Sequence, residues 1–182
     1  TEITTQISNA ANILNIEKCD YGASFSNDYS VQVDKGLAKQ LKASQKQVIT
    51  LRVWNKENLV GITTTSDLSE KGIRKALEQA YIASEFGNKN EITDFSPLAK
   101  NPIRVKEIDK KSPLGIKKLL NILRRAESKL IDSHESIKLI PYNGLSESFY
   151  ERIYANSEGA LRNYSKSQAA IYSVSYTHLR AH

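Results

Sequence analysis

The stretch from Val48 to Phe86 leaves the fewest choices open to a chain of this kind. Two β-prone runs, Val48–Trp54 and Leu59–Thr65, are separated by Asn55-Lys56-Glu57-Asn58, a polar connection suited to a hairpin. Ile49, Leu51 and Val53 alternate with Thr50 and Arg52, so one face of the first run is built for burial and the other for water. A helix start follows. Asp67 is placed to cap the first free N–H groups and Glu70 to reach back three residues later, a reciprocal capping box. Ile73, Ala76, Leu77, Ala80, Ile82 and Ala83 keep helical spacing, and Gly87 stands where a left-handed stop is easiest. The unit reads as strand, turn, strand and capped helix, with the helix lying on the sheet it has just left.

Upstream, Ile3, Ile7, Ala10, Ala11 and Leu14 give Glu2–Ile16 the spacing of an amphipathic helix. Ala23 and Phe25, then Val31 and Val33, suggest strands with a bend or bulge at Asn27-Asp28. Gly36 breaks that run, and Gly36–Gln45 reads either as a strand or as a helix. Downstream, Asn88–Lys111 has no clear period and contains Pro97 and Pro102, which marks a connection. Order resumes with Ser112 as N-cap and Pro113 at the first helical position, followed by an apolar stripe of Ile116, Leu119, Leu120, Leu123, Ala126, Leu130 and Ile131. Glu135–Ile140 and Glu147–Ala155 read as strands joined by a turn at Tyr142-Asn143-Gly144. A second turn, Asn156-Ser157-Glu158-Gly159, leads to short strands at Leu161–Tyr164 and Gln168–Ser173. The fold class is α+β: a largely antiparallel sheet covered by amphipathic helices, then a second region of helix and short strands.

Few residues offer chemistry. Cys19 is the single cysteine, so neither an intrachain disulfide nor a multi-cysteine metal cage can form, and it reads as a small packed residue. Of the three histidines, His178 and His182 lie in the last segment, leaving His134 as the one usable imidazole. His134-Glu135 is followed by Ser136, Ile137, Lys138 and Leu139, so no second His arrives at ligand spacing. His134 reads as a surface imidazole at a helix end. No nucleophile elbow, dinucleotide fingerprint or P-loop is present. Thr63-Thr64-Thr65-Ser66 precedes a helix N-terminus and suits an anion, but capping and strand-edge bonding explain it more simply. We assign no catalytic, cofactor-binding or metal residue.

The net charge of +6, from 26 basic against 20 acidic residues, raises an acidic partner such as nucleic acid. The lysines are scattered, however. Lys39, Lys42 and Lys46 suit a solvated strand, and Arg124 and Arg125 the outer face of a packed helix, so a nucleic-acid-binding module is the lesser alternative. Tyr150, Tyr154, Tyr164 and Tyr172 suit either half-buried strand positions or a surface that grips peptide. No apolar run approaches the ~20 residues of a membrane span. No secretory signal is visible in Thr1–Cys19, which makes the cytoplasm the default location.

Gly61, Thr65, Ser66, Asp67, Leu68 and Ser69, set between a strand and an Ala-rich helix, together with Asn156-Ser157-Glu158-Gly159, resemble the N-terminal region of the TldD/PmbA family of metallopeptidase-related proteins. The likeness spans roughly Tyr21 to Tyr172 and is nearer to the PmbA (TldE-like) subunit type. It favours a strand, not a helix, after Gly36. It implies an N-terminal subdomain over 1–87, a linker over 88–111 and the beginning of a middle subdomain over 112–173, with the metal-bearing C-terminal domain absent. Val174–His182, VSYTHLRAH, resembles translated adapter sequence and is excluded as a non-native tail; the lack of any Met suggests that the start is missing too. The family implies a cytoplasmic pair of related subunits that degrades or trims peptides. Zinc would sit in the C-terminal domain of the catalytic type, and this part would shape the chamber and the subunit contacts.

Overall fold

A computed structural model describes residues 2–88, 94–100 and 113–177. In chain order the elements are α1 (Glu2–Ile13), β1 (Lys18–Asp34), β2 (Leu37–Trp54), β3 (Val60–Thr65), α2 (Glu70–Ser84), α3 (Ile116–Asp132), β4 (Ile137–Asn156) and β5 (Leu161–Thr177). A short 3-10 turn, Pro97–Ala99, precedes α3. The five strands form one antiparallel sheet in the order β3-β2-β1-β4-β5, and the fold is α+β. Its contacts divide into two compact units, each drawn from three separate stretches of chain: Thr1–Phe25, Gln47–Ile108 and Glu151–Tyr164 in the first, and Ser26–Lys46, Asp109–Tyr150 and Ser165–His182 in the second.

The first unit follows its strand alternation. Ile49, Leu51 and Val53 are fully buried, as their spacing against Thr50 and Arg52 requires, and Cys19, Tyr21 and Ala23 of β1 and Ile153 and Ala155 of β4 join them in one cluster. Ile7, Ala10 and Ala11 of α1 and Ile73, Ala76, Leu77 and Ala80 of α2 complete that cluster. The hairpin of β2 and β3 is antiparallel, pairing Ile49 with Thr65 and Trp54 with Val60. Gly61 explains how α2 comes so close: a Cβ there would lie 1.8 Å from the Ala80 carbonyl oxygen and 2.5 Å from the Ser84 nitrogen. Only a residue without a side chain lets the two backbones touch.

Three local expectations change. Ser69, not Asp67, is the N-cap of α2: its hydroxyl accepts from the Gly72 N–H at 3.1 Å, while Asp67 Oδ1 accepts from the Ser69 N–H at 3.0 Å. Asp67 thus shapes the turn that delivers the cap. Gly87 does not adopt a left-handed conformation; it is small because a Cβ would meet the Val60 carbonyl at 2.9 Å and the Ser84 carbonyl at 3.0 Å. Ile82, read as part of the apolar stripe, is 53% exposed, since the buried arc of α2 runs through Ala80 to Ser84.

In the second unit, Lys35 and Gly36 both have positive φ (50° and 74°), the signature of a tight hairpin turn, so the residues after Gly36 form a strand and the helix reading fails. β1 runs unbroken through Asn27-Asp28. Val31, Val33, Leu119, Leu123 and Leu145 make the core here. α3 starts at Ile116 with Gly115 as its cap residue, which leaves Pro113 outside the helix; Ser112 lies outside the described residues. The expected turn at Tyr142-Asn143-Gly144 is the interior of β4, a single strand of 20 residues. Asn143 is buried, its Oδ1 accepting from the Val33 N–H at 3.0 Å and its Nδ2 donating to Glu127 Oε1 at 3.3 Å. Glu127, buried on α3, also accepts from the Gly36 N–H at 2.7 Å. Gly144 is small because a Cβ would lie 2.4 Å from the Tyr172 ring. The turn signal is outweighed by tertiary bonds that a local window does not contain. β5 likewise continues as one strand to Thr177, and residues 178–182 lie outside the described part.

Gly61→Ala is expected to push α2 off β3 and to cost about 3 kcal/mol, measured by urea unfolding; stability within 0.5 kcal/mol of the parent, the size of an ordinary surface effect, would contradict the close approach.

Candidate functional site

The residues between the buried positions of β1, β2 and β4 face away from α1 and α2, and they carry the polar chemistry of the first unit. Asp20 on β1 is 2% exposed. Arg52 on β2 answers it with two donors, Nε at 2.8 Å from Oδ1 and Nη2 on Oδ2. From the other side, the Tyr154 hydroxyl of β4 donates to Oδ2 at 3.1 Å. One carboxylate thus joins three neighbouring strands. The bond to Asp20 raises the Arg52 pKa. Burial, then the Asp20 charge, raises that of Tyr154, so both groups hold their protons. Such a fixed, neutralised constellation holds strands in register and offers no free acid or base.

Beside this cluster the chain is folded over the same face. Phe95 is buried edge-on against Trp54, ring centroids 5.0 Å apart. The Lys18 ammonium lies 5.1 Å from the Trp54 ring centre and pairs with Asp94 at 3.0 Å, and Lys100 pairs with Asp94 at 2.8 Å. Those two ammonium groups hold the Asp94 carboxyl well below the usual carboxylate range.

Two turns of one plan border this region. In Asn55-Lys56-Glu57-Asn58-Leu59 the Asn55 Oδ1 accepts from the Glu57 and Leu59 N–H groups at 2.9 and 3.0 Å. In Asn156-Ser157-Glu158-Gly159-Ala160 the Asn156 Oδ1 accepts from Glu158 and Ala160 at 3.1 and 3.0 Å. The fourth residue of each is left-handed, Asn58 at φ 62° and Gly159 at φ 87°. Each asparagine then donates its Nδ2 outward, Asn55 to the Ser84 carbonyl at 3.2 Å and Asn156 to the Ala99 carbonyl at 2.7 Å. The turns close hairpins and clamp a neighbouring segment with the same side chain.

The first unit also has a groove of about 380 Å³ on its polar face, centred on Gly22. A second cleft, about 470 Å³, runs beside α1 and is lined by Ser8, Asn12, Cys19 and Ser157 among others.

Residues 23–84 match the family model described as PmbA/TldA metallopeptidase domain 1. That stretch of the chain is similar to the first domain of the PmbA/TldD family. That match takes in most of β1, all of β2 and β3, and α2, and so includes Gly61 and the Thr65–Ser69 turn that were singled out in the sequence. Three solved structures share the fold. TldE from Thermococcus kodakarensis superposes with a TM-score of 0.73 at 14% identity, over 99% of this chain and 40% of that one. A protein of Bacteroides thetaiotaomicron described as a candidate modulator of DNA gyrase gives 0.70 at 10% identity, over 99% and 41%. One of Thermotoga maritima with the same description gives 0.65 at 12% identity, over 99% and 40%. The chain therefore spans about 40% of the length of the structures it matches. No curated protein sequence matches it.

Against that family background, the residues weighed in the sequence fall as follows. Cys19 is buried, and burial with the neighbouring Asp20 charge pushes its thiol up to about 11, so it is protonated and inert at neutral pH. His134 is exposed just past the end of α3, its Nδ1 accepting from the Ser136 N–H at 3.1 Å. Among the described residues no three His, Cys, Asp or Glu side chains stand together as a metal site; His178 and His182 lie outside them. Thr65 accepts from the Asp67 N–H at 3.0 Å and Thr64 meets Thr50 at 3.1 Å, which absorbs these hydroxyls into the turn and the strand pair. Lys39, Lys42 and Lys46 are exposed on β2, and Arg125 is exposed on α3, whereas Arg124 is half-buried with its Nε unpaired among the described residues. Tyr154 and Tyr164 both line the groove at Gly22, while Tyr172 belongs to the second unit and accepts from Gln32 at 3.0 Å. The Asp20–Arg52–Tyr154 cluster escaped the sequence reading. Its one local signal was an acid, Asp20, beside Cys19 and Tyr21 at the start of a strand.

Arg52→Ala leaves the Asp20 carboxylate buried and unpaired and is expected to cost about 3 kcal/mol, read as a lowered midpoint in denaturant; Arg52→Ala with Asp20→Asn should recover much of the loss. Cys19 should resist iodoacetamide at pH 7.5 in the folded chain and react at once in urea. Because its folded pKa of about 11 lies above the ordinary 9.0, its contribution to stability is constant below about pH 9 and is lost as pH rises toward 11.

Proposed function

We propose that this chain is the N-terminal part of a PmbA/TldD-type assembly that degrades or trims peptides, and that it forms the walls and subunit contacts of the chamber without supplying a catalytic group. The observation that carries this is the family match over residues 23–84. The partner is a related subunit of the same family, the subunit type is PmbA/TldE-like, and the assembly works in the cytoplasm. Zinc, where the family uses it, would be held by donors in the C-terminal part of the catalytic subunit type; the described residues here offer no such set. Among those residues no helix is long and apolar enough to cross a membrane.

The architecture supports peptide handling in a specific way. β5 is the last strand of the sheet and runs for 17 residues, while the opposite edge strand, β3, has six. An edge left unpaired among the described residues presents alternate N–H and C=O groups to which an extended peptide can add as a further strand, with affinity from the backbone and little sequence choice. The alternative of a nucleic-acid-binding module has weaker support: the Lys39 ammonium lies 6.0 Å from the exposed Tyr142 ring, but strand alternation sends Lys42 and Lys46 to the opposite face of β2, so the three lysines do not make one patch.

Proline scanning from Arg162 to Ser173, in the full assembly with peptide cleavage as readout, checks this. Each outward N–H removed should slow cleavage of subsaturating peptide about fivefold, the loss of roughly 1 kcal/mol, at alternate positions only. Unchanged cleavage throughout, with the fold intact by circular dichroism, would remove β5 as the peptide edge.

A further inference from the structure

The groove at Gly22 has a character of its own. Gly22 lies on β1, an inner strand of the sheet, and its backbone is not in the left-handed region, so conformation does not explain the missing side chain. Packing does not explain it either: a Cβ at this position would meet nothing within 4 Å. A glycine in a strand interior weakens the strand and marks a place where another group approaches closely. Here the space above it is open, bounded by Val48 and Thr50 of β2, Arg152 and Tyr154 of β4, and Arg162 and Tyr164 of β5. At about 380 Å³ the groove falls within the range of ligand clefts, about 300–1,000 Å³.

Its charge has one sign. Asp20, next to the groove, is already neutralised by Arg52 and accepts a hydrogen bond from the Tyr154 hydroxyl. Arg162 brings a second guanidinium, which donates to the Leu161 and Leu98 carbonyls at 3.0 and 2.9 Å. Arg152 is exposed at the rim and makes no ion pair among the described residues. Carbon-rich walls with an unanswered guanidinium at the lip suit an apolar side chain with a carboxylate next to it.

We propose that this groove binds an acidic–apolar peptide segment, an apolar side chain seating on Gly22 while a neighbouring carboxylate pairs with Arg152. The site goes beyond the edge-strand reading. A strand added outside β5 would lie three strand spacings, about 14 Å, from Gly22, out of reach of its side chains; the groove is entered from above the sheet face. The two modes can therefore fail separately.

The experiment titrates the chain, by calorimetry and amide chemical shifts at low salt, with an acetylated and amidated peptide of alternating glutamate and leucine, and with its lysine–leucine counterpart. Only the glutamate peptide should bind, with shifts centred on Gly22 and Arg152. Arg152→Glu should weaken it at least about tenfold by charge reversal. Gly22→Val fills the groove where the backbone has room for it, so binding should disappear while the melting temperature holds or rises. Proline substitutions from Lys166 to Ser173, the part of β5 outside the groove, should leave this binding in place. Equal affinity for the lysine peptide, full binding by either variant, shifts confined to β5, or no binding of the glutamate peptide would each overturn the proposal. Should Gly22→Val fail to fold, Arg152→Glu and the chemical-shift map still decide.

Discussion

A carboxylate buried in an inner strand of a sheet is tolerated only when both neighbouring strands answer it, and Asp20 sets that condition for the first unit. Desolvating an unpaired carboxylate costs several kcal/mol. Arg52 from one side and Tyr154 from the other remove that cost, which ties β1, β2 and β4 into one register. A slip of one residue in β1 would turn Asp20 toward Ile49, Leu51 and Val53, and a slip in β2 or β4 would turn Arg52 or Tyr154 away from it. The cluster thereby separates the sheet into a face that can be oily throughout and a face that can stay polar.

That separation decides what each face does. The oily face receives α1 and α2, and α2 approaches so closely at Gly61 that helix and strand backbones are in contact. The polar face is left for Trp54, Phe95 and the Asp94 ion pairs near one end, and for the groove around Gly22. The second unit repeats the principle with different groups. Glu127 and Asn143 are buried polar residues whose bonds reach the Gly36 and Val33 amides, so α3 is fixed to its strands by hydrogen bonds as well as by Leu119 and Leu123.

The two asparagine turns show how little sequence is needed to build a clamp. Asn55 and Asn156 share the oxygen pattern that closes a hairpin and a free amide that reaches a carbonyl outside it. The family likeness and these shared devices describe an architecture; the proposed peptide contacts would use two separate parts of it, the β5 edge and the polar face.

By itself the sequence determined the alternating strand Ile49–Val53, the amphipathic helices and the turn at Asn55–Asn58, because each is set by contacts within a few residues. What it misjudged were positions where distant groups overrule local preference. Asn143-Gly144 has turn chemistry, yet Val33, Glu127 and Tyr172 convert it to strand. Gly87 has the composition of a left-handed stop, yet its smallness serves Val60 and Ser84. The Asp20–Arg52–Tyr154 cluster joins residues 32 and 134 positions apart, and only the order of strands in the sheet brings them together. Periodicity is a local property and was legible; strand neighbourhood is not local, and the tertiary structure alone decided it.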